Sequence, residues 1–228
     1  MNNALEEHII AYIDLLGVKE KIKKGDLKSK DMIHHLYSWT VDVTPRVAIP
    51  ENADIKFKIF SDNIVIAKKL SKESTQRERD IRALLMCTGH FQEMAATDTA
   101  CCMLRGGITI GELLIDETMV WGQALVDAYK IESTVANYPR IVIMDSVARE
   151  IMNCPKLKDY LRTDFDDCYF LNYLADCYYV GEFLEAGFER MKEEANLSDP
   201  KIKQKFIWHM KFLNAELKKK KEKYRLSL

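Results

Sequence analysis

Two aspartates stand where packing alone does not account for a carboxylate. Asp14 closes the run His8-Ile-Ile-Ala-Tyr-Ile-Asp-Leu15. An acid in such apolar company is costly unless a cation or hydrogen bonds satisfy it. Asp62 lies within Lys58-Ile-Phe-Ser-Asp-Asn-Ile-Val-Ile66, which reads as two short strands joined by a polar turn. A carboxylate at such a turn is placed to hold a divalent cation, provided a second one arrives beside it. Taken alone, Asp62 reads as a turn-forming aspartate.

The elements around them must bring the two acids together. Residues 8–15 predict a buried strand that gives way to a short helix near Gly17. On the first hairpin strand Ile55, Phe57 and Ile59 alternate with Lys56, Lys58 and Phe60, which predicts one apolar and one charged face. A helix is expected over 29–43, with Met32, Ile33, Leu36, Trp39 and Val43 at helical spacing, before a loop bracketed by Pro45 and Pro50. Residues 73–98 predict a longer helix, apolar from Ile81 to Ala96. The strand expected over 101–112 holds three glycines, which mark a bulge or a close approach by another backbone or a ligand. A second strand runs to Trp121. Gly122 then opens a helix to about 137 with Ala124, Ala128, Ile131 and Val135 as its buried stripe. Val126 and Lys130 share another face of that helix.

Beyond Pro139, Arg140–Met144 predicts one more central strand, and 160–173 an edge hairpin. The chain reads as helical from about 182, where Ile202, Phe206, Met210, Leu213 and Leu217 form a stripe for the body or a partner chain. The basic run Lys218–Arg225 reads as a solvated helix end. This order predicts an α+β protein with an antiparallel-cored sheet and helices on one side.

With 228 residues the chain fits one domain with an appendage. Thirty-four basic residues against thirty-five acidic ones give a net charge of -1, so no global basic field points to nucleic acid. No apolar run is long enough to span a bilayer, and Met-Asn-Asn-Ala-Leu-Glu-Glu is no signal peptide. The six cysteines form no Cys-x-x-Cys pair, which predicts reduced thiols in a cytoplasmic protein. His34 and His35 have no partner ligands nearby in sequence.

Four stretches, in order, carry a resemblance. Ala11-Tyr-Ile-Asp-Leu-Leu-Gly17 resembles the first metal-binding strand of the class III nucleotidyl cyclases. Lys58-Ile-Phe-Ser-Asp62 is similar to their Lys-x-x-Gly-Asp hairpin, with Ser61 in place of the glycine. Arg105-Gly-Gly-Ile-Thr-Ile-Gly111 resembles their Arg-x-Gly-Ile-x-x-Gly strand. Trp121-Gly-Gln-Ala-Leu-Val-Asp-Ala-Tyr-Lys-Ile-Glu132 looks like the strand-to-helix segment that carries their transition-state residues.

The resemblance spans roughly residues 8–173. It implies a class III cyclase domain over 1–175, a ferredoxin-like or palm-type, mainly antiparallel sheet with helices packed on it. A C-terminal helical extension would fill 176–228. It also implies two ions, Mg2+ or Mn2+, on Asp14, Asp62 and a backbone carbonyl of Ile13 or its neighbour. Arg105 takes the place of the triphosphate-binding arginine, whose fork suits phosphate oxygens, although an edge-strand salt bridge is the plainer reading. Lys58 and Met119 stand at the base-contacting positions. A head-to-tail homodimer with two shared sites follows, in which each α-helix 123–137 faces the partner's aspartates.

Departures from the family pattern matter as well. Val126 stands where the adenylate cyclases keep asparagine, and Lys130 where they keep arginine. Met119 cannot read the adenine amino group, whereas Lys58 can donate to a carbonyl on uracil or cytosine. The whole pattern is most similar to the bacterial stand-alone pyrimidine cyclases of Pycsar anti-phage systems. That similarity implies cyclisation of UTP or CTP to cyclic UMP or cyclic CMP, and a product-activated effector protein downstream. It implies no role for nucleic acid or membrane. Adenylate or guanylate cyclisation is the alternative within the class. A non-catalytic cyclase-fold module that binds a nucleotide is the alternative outside it.

Overall fold

The computed structural model describes residues 4–23, 25–42, 44, 54–97, 102–176 and 182–219. The loop bracketed by Pro45 and Pro50, Val43, Cys101, Cys177, the side chain of Leu217 and the tail beyond residue 219 lie outside them.

The sheet is built around β1 (Glu6–Leu15), flanked by β3 (Asn63–Lys69) and β4 (Leu104–Ile115), both antiparallel to it. Outward from β3 lies β2 (Ile55–Phe60). Outward from β4 come β6 (Ile141–Ile143), β8 (Tyr169–Leu171) and β7 (Leu161–Thr163). The order is β2-β3-β1-β4-β6-β8-β7, with the short β5 (Val120–Trp121) paired to the far end of β4. The β4–β6 pair is the parallel one; the other pairs are antiparallel. The hairpin expected over 160–173 is the β7–β8 edge.

The period-two alternation of β1 explains both faces of the sheet. Ile9, Ala11, Ile13 and Leu15 point into one core with Ile64 and Ile66. That core is closed by α2 (Leu27–Asp42), α3 (Ser74–Thr97) and α5 (Asp145–Asn153), through Leu36, Leu84, Phe91, Val147 and Ile151. Ile10 and Tyr12 point the other way, with Val65 and Ala67, against Ala124 and Ala128 of α4 (Gln123–Thr134). The helices are therefore not confined to one side, as the element order suggested. The helix opened by Gly122 covers the second face, because the odd-numbered side chains of β4 there are small enough to admit it. The remaining helix ahead of the hairpin is the short α1 (Val18–Lys23).

Two glycines make that approach possible. A Cβ on Gly107 would stand 2.4 Å from the Ala128 carbonyl oxygen and 2.9 Å from the Ile131 side chain. Gly122 holds φ at 151° and would push a Cβ to 2.3 Å from the Glu112 carbonyl. Between them, the buried hydroxyl of Thr109 donates to the Ala124 carbonyl at 2.9 Å.

The apolar face expected on β2 fades along the strand. Ile55 is buried and Phe57 half-buried, but Ile59 and Phe60 are 42% and 48% exposed, because β2 is an edge strand running out toward its turn. The C-terminal helices α6 (Glu182–Leu197) and α7 (Pro200–Lys219) dock on the body. Phe188, Met191, Phe206, Met210 and Leu213 share a core with Met103, Phe170, Tyr173 and Leu174. Ile202, expected in the same stripe, is 41% exposed. Among the described residues no helix is long and apolar enough to cross a membrane, and Cys87, Cys102, Cys154 and Cys168 carry no disulfide.

Candidate active site

Strand register brings the two aspartates to one end of the sheet. Asp14 stands opposite Asn63 across the β1–β3 ladder, and Leu15 N–H donates to the Asp62 carbonyl at 2.9 Å. Main-chain pairing, not side-chain choice, therefore fixes the neighbourhood of these acids. The turn between β2 and β3 places Ser61 at φ 58°, in the left-handed region. Serine thus occupies a backbone position that favours glycine. Asp62 is only 5% exposed, and among the described residues its carboxylate has one hydrogen-bond donor, the Asn63 amide at 3.1 Å. A buried carboxylate with a single neutral donor is poorly compensated.

Arg105 joins Asp14 from the other side. It is the cross-strand partner of Asp14 on β4, and its Nε donates to Asp14 Oδ2 at 3.1 Å. The same nitrogen lies 2.7 Å from Glu132 Oε1 on α4. Arg105 is thus no edge-strand ornament: it sits in the middle of the sheet between two acids. Glu132 is only 4% exposed, and nothing in the sequence reading gave it a place. The signal was present, since Glu132 falls four residues beyond Ala128 and eight beyond Ala124 on the stripe that faces the sheet. Two hydroxyls complete the surroundings. Tyr12 is pushed up to about 12 by burial first, then by the charges of Glu132 and Asp14. Tyr37, from α2, is also pushed up by burial, with Asp62 the next cause, and its buried hydroxyl has no hydrogen-bond partner among the described residues.

Ile13 is fully buried between Ile64 and Gly106, so a ligand from it would have to be its backbone. Lys58 reaches away from the aspartates, its ammonium donating to the Glu117 carbonyl in the β4–β5 turn. Asp116 ties that turn, accepting from Thr118 Oγ1 at 2.7 Å and from the N–H groups of Thr118 and Met119 at 2.8 and 2.9 Å. Those bonds, the Thr118 hydroxyl foremost, hold the Asp116 carboxyl below its usual range. Met119 follows directly and is 44% exposed. Lys58 and Met119 therefore border one turn.

Lys130 is not joined to the carboxylates within one chain. It is exposed on the outer face of α4 and lines a separate cleft with Asp127, Thr134, Asp145 and Tyr169. Val126 shares that outer face and is 57% exposed. Tyr129 is 53% exposed, with its ring edge-on to Tyr12 at 5.5 Å. Arg162 is engaged elsewhere, by Glu216 at 2.7 and 2.8 Å.

No family model matches the sequence, and no curated protein matches it. Solved structures do. The monomeric guanylyl cyclase domain of the RhoGC fusion protein from the aquatic fungus Blastocladiella emersonii superposes with a TM-score of 0.53 at 14% identity, over 74% of this chain and 95% of that one. A bacterial light-regulated adenylyl cyclase gives 0.50 at 14% identity, over 85% of this chain and 58% of that one. At such identities the likeness speaks for architecture alone, and in architecture this chain has the fold of the adenylate and guanylate cyclase catalytic domains.

Proposed function

We propose that this protein is a metal-dependent nucleotidyl cyclase that converts a pyrimidine nucleoside triphosphate, UTP or CTP, to the 3′,5′-cyclic monophosphate and pyrophosphate. The observation that carries the reading is that strand pairing sets Asp14 and Asp62 side by side in the main chain at one end of a cyclase-type sheet, with Arg105 bonded to Asp14. The donor set suits a hard divalent cation such as Mg2+ or Mn2+. Its two carboxylates are oxygen ligands, and the buried Asp62 lacks a counter-charge hydrogen-bonded to it among the described residues. No third His, Cys, Asp or Glu joins them among the described residues, so the backbone at Ile13, phosphate oxygens and water are the natural remaining ligands. A bound cation pair supplies charge to the attacking ribose oxygen and to the departing pyrophosphate.

The side chains supply the rest. Arg105 presents a guanidinium to the phosphates, and its contact with Glu132 keeps it aimed along the sheet while it does so. Lys58 donates to a base carbonyl in exchange for the Glu117 carbonyl it now holds. Met119 offers no strong acceptor for an adenine amino group, which counts against ATP as the substrate. Lys130 serves the site of a second subunit, giving point charge to the phosphate under attack. An exposed apolar set, with Val126, Tyr129, Trp121, Met119 and Phe60 all above 40% exposure, supports such a homodimer. As a second messenger the product would act on an effector in anti-phage defence.

A second reading rests on Val126, which puts a hydrocarbon where a donor serves the family: a module that binds the triphosphate without turning it over. Incubation of the purified chain with each of the four nucleoside triphosphates and Mn2+, with products resolved by mass, separates the two. Cyclic UMP or cyclic CMP is expected. Recovery of unchanged triphosphates alone would sink the enzyme, and a cyclic purine product would sink the base assignment.

A further inference from the structure

The C-terminal helices bring two lysines to the edge of the candidate site. Asp199 Oδ1 caps the start of α7, accepting from the N–H groups of Lys201 and Ile202 at 2.9 and 3.1 Å. Lys201 and Lys205, four residues apart, then share one face of the helix, while Phe206, Met210 and Leu213 bury the other. Trp208 stacks on Tyr138 at 5.9 Å between ring centres, which holds this part of α7 against the turn that follows α4. Between them lies a cleft of about 240 Å³ lined by Arg105, Asn137, Tyr138, Lys201, Gln204 and Lys205. Each of these side chains carries a polar group, three of them are cations and none is an acid.

We propose that this cleft is a polyphosphate subsite, in which Lys201 and Lys205 of α7 join Arg105 to take the terminal phosphates of the triphosphate. The proposal rests on reading the Asp14–Asp62 end of the sheet as a nucleotide site, and it adds to that site a wall made by the helical extension. Arg105 joins the two places, since it lines the cleft and also touches Asp14. A ligand in the cleft is therefore one side chain away from the paired carboxylates. Among the described residues neither lysine ammonium has an ion-pair partner, and Lys205 is half-buried. Its ammonium is held below its usual range by burial first and then by Arg105 and Lys201, with Asp14 and Asp199 opposing. Arg105 is already engaged by Asp14 and Glu132, so Lys201 and Lys205 are the charges that an anion in this partly dry cleft would relieve. Lysines act as mobile point charges, which suits a phosphate chain whose oxygens rotate.

Inorganic tripolyphosphate, titrated calorimetrically into the full chain in EDTA, tests the subsite without turnover. Binding is expected, weakened roughly tenfold by Lys205→Ala and by Lys201→Ala, with Lys205→Arg retaining it and the nearby Lys203→Ala indifferent. Lys201 is exposed, so its variant keeps the test open if Lys205→Ala melts early. In the cyclisation assay the same two alanine variants should raise KM for the nucleotide and weaken pyrophosphate inhibition in parallel, with kcat little changed. Tripolyphosphate that fails to bind, or binds all variants alike, overturns the subsite. Lost tripolyphosphate binding with an unmoved KM overturns its use by the nucleotide. Lysine-dependent tripolyphosphate binding in a chain that cyclises nothing upholds the subsite and removes the cyclase reading alone.

Discussion

Asp14 and Asp62 are a pair by position but not by surroundings. Asp14 shares Arg105 with Glu132, whereas Asp62 is buried with one neutral donor from Asn63. Neutralising the two should therefore have different costs. Asp62→Asn removes a charge that no described side chain offsets with an ion pair, so the thermal midpoint should hold or rise, by up to about 1 kcal/mol of stability. Cyclisation should fall by about a thousandfold or more, since several kcal/mol of charge stabilisation depend on it. Asp14→Asn should lose activity similarly but also lower the midpoint, because it strips one of two acids from Arg105. Equal midpoint shifts would contradict the surroundings described for the pair. The acids themselves could be read from the chain, since an aspartate ending an apolar run and another in a polar turn are visible locally. Glu132 was harder, because a glutamate on a helix reads as solvated until the arginine that receives it is placed from twenty-seven residues upstream, on another element. Lys205 was harder still, as nothing within α7 announces Arg105 as its neighbour.

The elements near the start were legible because their own periodicity is strong, even where their strand partners lie far along the chain. Strand β1, the β2–β3 hairpin and the glycine-bearing β4 fall where the alternation and turn residues put them. The side of the sheet taken by α4 was not legible, since it depends on Gly107 meeting Ala128, a contact between elements. The docking of α6 and α7 was likewise open, and it is settled by aromatic packing. Phe170 and Tyr173 lie 5.5 and 5.4 Å from Phe212, ring centre to ring centre, and Tyr173 Oη lies 2.6 Å from His209 Nε2. Burial pushes the fully enclosed His209 down to about 4, so it stays neutral in the folded protein while the unfolded chain protonates near 6.5. The unfolded state binds the extra proton between those values. Stability from this group is then complete above about pH 6.5 and drains away toward pH 4, on the order of 3 kcal/mol in all. Chemical denaturation across that interval should show the slope, and His209→Gln should flatten it. An unchanged slope in the variant would mean that other groups drive the acid sensitivity of this helical layer.

At the scale of the molecule, the chain presents its donors to two different places. The carboxylates and Arg105 lie at one end of the sheet, and Lys130 lies on the outer face of α4 beside the exposed Val126 and Tyr129. If two copies share sites, defects in the two places must complement. A mixture of Asp62→Asn and Lys130→Ala chains, each inactive alone, should recover about a quarter of the wild-type rate, since half the dimers are mixed and each mixed dimer has one intact site. Recovery of nothing would confine all chemistry to a single chain. The one parallel pairing among the described strands bears on how such an assembly could be controlled. Strands β4 and β6 run side by side in the same direction, and α4 lies on the connection between them. A helix moored at both ends to adjacent strands cannot swing on a hinge without tearing hydrogen bonds out of the sheet. If two copies do share sites, any change that controls them would slide one subunit over the other and carry Lys130 along as rigid cargo.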